Sequence, residues 1–131
     1  MLSHVTIGTN DLDRAKAFYD AVIGTLGIGC IVHEPEHGLV GYAVTPVSTP
    51  QVYLTRPLDG RPASVGNGQT FAFVADDRAT VRAFHAAALA AGGTCEGPPG
   101  LRPHYHTNYY GVYLRDLDGH KIACACHRSE D

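Results

Sequence analysis

Hydrophobic and polar positions along this 131-residue chain follow two rhythms. Residues 3–9 (SHVTIGT) alternate one by one, the period of a strand with one buried face. Asn10 and Asp11 then offer capping side chains, and Leu12, Ala15, Phe18 and Val22 recur on one helical face. Gly24 and Gly27 end that helix. Strands are predicted at about 28–33, 39–45 and 51–55, punctuated by Pro46, Pro50 and Pro57. Residues 56–68 (RPLDGRPASVGNG) are rich in Gly, Pro and Asn and read as a linker.

Beyond the linker the pattern begins again. Thr70 to Val74 alternates, Asp76-Asp77 can cap a helix, and Val81, Phe84 and Ala88 form its apolar stripe. Sliding the first segment onto the second superimposes Asp11 on Asp77, Ala17 on Ala83, Phe18 on Phe84, Ala21 on Ala87 and Gly27 on Gly93. These identities fall on a cap, a buried helix face and a helix end, so each pair has the same physical task. A period this long, present twice, indicates a duplicated module. Each half reads strand, helix, then three strands, which gives an α+β domain with helices on one face of a mixed sheet.

The last quarter runs RPHYHTNYYGVYLRDLDGHKIACACH, from Arg102 to His127. A polar, aromatic stretch leads into an alternating segment, the turn Asp116-Leu117-Asp118-Gly119, and a final alternating run. Asp-Gly between two such runs is a hairpin signal, because Gly accepts the positive φ of a tight turn. The Tyr-Tyr-Gly-Val-Tyr-Leu strand, the Asp-Leu-Asp-Gly turn and the last strand resemble the C-terminal end of the glyoxalase, bleomycin-resistance and extradiol-dioxygenase superfamily, also called vicinal oxygen chelate. The resemblance implies one domain over residues 1–131, with modules at about 1–62 and 66–131. It implies two tandem β-α-β-β-β modules whose sheets form a cupped half-barrel, with the helices on the outer face.

Strand alternation divides the side chains between two faces. Val5, Ile7, Val52, Leu54, Phe71, Phe73, Ile122, Cys124 and Cys126 are uniformly apolar and are expected beneath the helices. His4, Thr6, Gly8, Gln51, Tyr53, Thr55, Thr70, Ala72, Val74, Ala123, Ala125 and His127 are small or polar, as expected of a cavity lining. In the metal-dependent relatives implied by the resemblance, four strands each supply a His or Glu to the cup. The matching positions are His4, Tyr53, Thr70 and Ala123, where the last replaces a frequent Glu. His4 suits a transition metal; Tyr53 is unusual, Thr70 poor, and Ala123 offers no donor. His127 cannot fill the Ala123 slot, since it lies roughly 13 Å further along an extended strand. No metal is therefore expected at these positions.

Two functions stay open. One is a metal-free binding protein holding a small planar or anionic molecule in the cup, as bleomycin-resistance proteins do. The other is a metal-dependent lyase, isomerase or dioxygenase using His4 with an atypical ligand set. Candidate ligand-binding residues are His4, Thr6, Tyr53, Thr70, Arg102, His104, Tyr105, His106, Asn108 and Tyr110, and candidate acid/base groups are His4, His104 and His106. If residues 104–106 are extended, both imidazoles lie on one side. Asp116 and Asp118 are read as turn residues rather than as an acid pair.

Composition narrows the partners. Net charge is −3 with no Lys/Arg cluster, which argues against nucleic acid. No long apolar run or secretory leader is present, so a cytoplasmic location and no membrane partner are expected. Cys30, Cys95, Cys124 and Cys126 are read as reduced, with Cys124 and Cys126 on one strand face as small buried residues. Homodimerisation is what the resemblance implies.

Overall fold

The computed structural model describes residues 1–130. The elements run β1 (His4–Gly8), α1 (Leu12–Gly24), β2 (Gly29–Glu34), β3 (Leu39–Ala43), β4 (Gln51–Thr55), β5 (Phe71–Val74), α2 (Arg78–Ala90), β6 (Thr94–Leu101), β7 (Tyr110–Arg115) and β8 (Lys121–Cys126). They form two open four-stranded sheets, ordered β1-β4-β3-β2 and β5-β8-β7-β6. In each sheet the first strand pairs parallel with the fourth, and the other pairings are antiparallel. The duplicated β-α-β-β-β arrangement is therefore present in full.

Both helices start where capping chemistry dictates. Asp11 accepts the Arg14 amide at 3.1 Å and Asp77 accepts the Thr80 amide at 2.7 Å. Their apolar stripes, Phe18, Tyr19, Val22 and Ile23 on α1 and Val81, Phe84 and Ala88 on α2, are buried. They share one core with Ile7, Leu54, Leu114, Ile122, Cys124 and Cys126, and α1 packs against α2. Each large apolar side chain so buried contributes about 1.5–3 kcal/mol. Val5, Phe71 and Phe73 are partly buried against the same core, so the helix-facing set read from alternation is the set that packs. All four cysteines are free. Burial pushes the Cys124 thiol up to about 12.

β6 carries Pro98 and Pro99 because it is an edge strand, paired only with β7 through irregular register. The two modules are joined at the β7–β8 turn. Asp116 Oδ1 accepts the amides of Asp118 (3.0 Å) and His120 (2.9 Å), while Oδ2 accepts the Tyr19 hydroxyl of α1 at 2.5 Å. Asp118 accepts the Asn10 amide at 2.9 Å, and His120 Nε2 donates to the Gly8 carbonyl at 2.7 Å. Gly119, at φ 92°, closes the turn in the left-handed region that favours glycine. The acidic pair is structural, and it ties the second hairpin to the β1–α1 junction.

Candidate functional site

The concave faces of the two sheets carry two groups of side chains. On the first sheet, His4 meets the Tyr53 ring edge-on at 5.8 Å, and its Nδ1 lies 3.0 Å from Ser3 Oγ. Tyr53 donates its hydroxyl to Gln51 Oε1 at 2.5 Å. Its ring lies over Gly41, the register partner across β3, where an added Cβ would come within 2.6 Å of the ring. Thr6 is exposed on the same face.

The corresponding register pair of the second sheet reverses this arrangement. Tyr113 stands on β7 opposite Ala123 on β8. Large and small residues have exchanged strands, and Ala123, 1% exposed, is packed beneath its neighbours. Tyr113 donates to or accepts from Tyr109 across 3.0 Å between the hydroxyls. Tyr109 in turn packs on Tyr105 at 4.9 Å, and Tyr105 on His104 at 4.2 Å. Burial first, then the bond with Tyr109, raises the Tyr113 phenol above its ordinary value. The Lys121 ammonium and the Arg102 guanidinium lie 5.2 and 5.8 Å from the Tyr113 ring centre.

Several sequence expectations need correction. Residues 103–108 are not extended but folded in two turns, closed by Tyr105 N–H to Arg102 O (3.0 Å) and Tyr109 N–H to His106 O (3.2 Å). His104 and His106 are therefore not a pair. His106 Nε2 meets His127 Nδ1 at 2.9 Å, the rings stacked at 22°, and the Asn108 amide donates to His106 Nδ1 at 3.2 Å. Tyr110 does not line the cup. Its register partner is Cys126, which puts it on the helix-facing side, where Arg78 and Arg82 lie 5.3 and 5.9 Å from its ring centre. Arg102 is drawn back onto β6, donating to the Pro98 carbonyl at 2.7 Å.

Of the four positions where a family-type metal would sit, His4 is exposed, Tyr53 is bonded to Gln51, Thr70 is exposed and Ala123 is buried. His4 alone carries a donor common at transition-metal centres. Among the described residues no group of three or more His, Cys, Asp or Glu comes together. Gln51 and Thr70 both line a cavity of about 340 Å³ between residues of β4 and β5, and among the described residues no hydrogen bond or ring contact links the two concave groups.

Sequence reading missed Arg115 and Lys121. They are cross-strand partners flanking the Asp-Gly turn, on the concave face with Tyr113 and Ala123. The alternation through Ala123, Ala125 and His127 extends back to Lys121, so the signal was present.

The sequence matches the model of the Glyoxalase/Bleomycin resistance protein/Dioxygenase superfamily over residues 1–124. The chain belongs to this superfamily. A glyoxalase/bleomycin resistance protein from Albidiferax ferrireducens T118 is 44% identical, with TM-score 0.86 over 98% of this chain and 99% of that one. A family enzyme from Burkholderia phytofirmans PsJN (20% identity, TM-score 0.73, 96% and 98% covered) shares the superfamily fold. So does lactoylglutathione lyase from Agrobacterium tumefaciens (23%, 0.65, 96% and 92%). None of the curated proteins matches the chain. No helix among the described residues is long and apolar enough to cross a membrane.

Proposed function

We propose that this superfamily member is a binding protein that holds a small planar or anionic molecule against the concave face of its second sheet, without a family-type metal. One observation carries the reading. Tyr105, Tyr109 and Tyr113 form a continuous aromatic wall, and two cations, Lys121 and Arg102, lie against the Tyr113 ring. Aromatic faces stack on planar ligands, and cations beside them draw negative charge. Catalytic metal sites need about three protein ligands plus an open position, and His4, Tyr53, Thr70 and Ala123 supply one imidazole.

Thermal-shift screening with aromatic carboxylic acids tests this. A shift that is lost in Tyr113→Ala supports it; no shift with any acid, or one unchanged in Tyr113→Ala and Tyr105→Ala, contradicts it. A second reading, a metal-dependent lyase, isomerase or dioxygenase, is favoured by His4 itself. Its Nε2 has no hydrogen-bond partner among the described residues and is open to a ligand.

A homodimer and a cytoplasmic location belong to the same proposal. Val44, Val47 and Val74 are 67%, 90% and 70% exposed, beside an apolar cavity of about 330 Å³ between the β3–β4 connection and β5. A second copy of the chain would cover them. Four free thiols suit a reducing compartment.

A further inference from the structure

We propose that the cavity at the turn end of the second sheet is a carboxylate subsite, so that the molecule bound in the cup is a planar acid. The inference rests on the binding reading above and names the ligand class. This cavity, of about 490 Å³, is bounded by residues 65–70 of the inter-module segment on one side and by Arg115 and Lys121 on the other. It opens beside the aromatic wall, since Lys121 contributes to both.

Charge is unbalanced there. Arg115 donates Nε–H to Glu96 at 2.8 Å and Nη1–H to the Gly119 carbonyl at 3.1 Å. Those two bonds fix the guanidinium plane, and among the described residues Nη2 has no partner. No carboxylate lies within ion-pairing distance of Lys121 Nζ among the described residues, and the ammonium rests instead on Tyr113. Among the described residues Glu96 is the acid paired with this cluster, and it is bonded to Arg115 alone. The Arg115 hydrogen bond holds its carboxyl below the ordinary value, with the charges of Arg115 and Lys121 adding. Two cations against one carboxylate leave one positive charge over, in a cavity that also presents the Thr70 hydroxyl and the side chains of Asn67 and Gln69.

The chemistry that fits is an anion small enough to sit between a guanidinium edge and an ammonium, attached to a flat group. Arg offers planar, paired donors to a carboxylate, and Lys adds a compact charge. With the carboxylate there, a ring attached to it is directed over Tyr113 and toward Tyr105, which is 59% exposed. Gly68, at φ 99°, lets the segment turn at the cavity wall, and Val65 packs beside Gly119, where an added Cβ would lie 3.3 Å from the Val65 side chain.

Benzoate and its neutral isostere benzamide separate the charge from the ring. Titrated into the full-length protein and followed by amide chemical shifts, benzoate should move residues 65–70, Arg115 and Lys121, and bind about tenfold more tightly than benzamide. Lys121→Gln, a substitution at the sheet surface, should bring benzoate down to the benzamide affinity and leave benzamide unchanged. Raised salt should weaken benzoate alone. Equal binding of the two probes, with the shifts confined to Tyr105, Tyr109 and Tyr113, would overturn the carboxylate subsite while leaving the binding reading intact. No binding of either probe would overturn both.

Discussion

Ala123 shows how a single residue decides what the cup can do. It faces the concave side, is 1% exposed, and sits opposite Tyr113 across the β7–β8 pair. A carboxylate there would have to shed water against an aromatic ring, at a cost of several kcal/mol unless it is protonated or bound to a cation. Ala123→Glu should therefore lower unfolding stability by about 2 kcal/mol or more in urea titration, with no recovery on adding Zn²⁺ or Mn²⁺. Recovery with metal would mean that the other three positions can complete a centre. Gly41 makes the mirror-image case on the first sheet, where any side chain would collide with the Tyr53 ring. Gly41→Ala should cost about 1–3 kcal/mol by the same urea assay.

Residue placement is also where sequence reading succeeded and failed. Period-two alternation put Ile122, Cys124 and Cys126 under the helices correctly, because β8 is a regular strand paired on both sides. Tyr110 was grouped with the aromatic stretch as a candidate ligand-binding residue, but it is the first residue of β7, and its pairing with Cys126 turns it to the helix side. His106 was assigned to His104 because they are two residues apart. The turns at 103–108 separate them, and the true partner, His127, lies 21 residues away.

Among elements, the β7–β8 hairpin carries the most structural weight. Its turn was legible as Asp-Gly, but its second task was not, since joining Asp116 to Tyr19 spans 97 residues. Tyr19→Phe removes the α1 hydroxyl that donates to the Asp116 carboxylate and should cost about 1–3 kcal/mol, measured by urea titration. The same region governs behaviour in alkali. Burial, then the Asp116 charge, raises the Tyr19 phenol well above its ordinary value; burial likewise raises Tyr42, and lifts the Cys124 thiol from 9.0 to about 12. For each, the folded state prefers the neutral form, so its contribution is complete below the unfolded value and is lost as pH rises through the window above it. Melting temperature followed by circular dichroism should hold level near neutrality and fall from about pH 9 toward pH 12. A level profile to pH 12 would contradict the burial of these groups.

At the scale of the whole molecule, duplication was the most readable feature. Cap, helix face and helix end recur in both halves because each module solves the same folding problem, and both modules form as read. The relation between their concave faces was not readable, since it depends on how the seam at Pro50–Val52 and Phe71–Phe73 packs. Light scattering should give a mass near twice 14.0 kDa if a second copy covers Val44, Val47 and Val74. Val74→Lys should then yield monomer with its helical content unchanged.

The claim at the centre of this account is that the cup binds its ligand without a metal ion. Its most direct test is the metal content of tag-free protein, followed by calorimetric titration with Zn²⁺, Ni²⁺, Mn²⁺ and Fe²⁺. The account predicts far less than one equivalent of metal and no binding heat. Near-stoichiometric metal that disappears in His4→Ala would contradict it and establish the metal-dependent reading in its place.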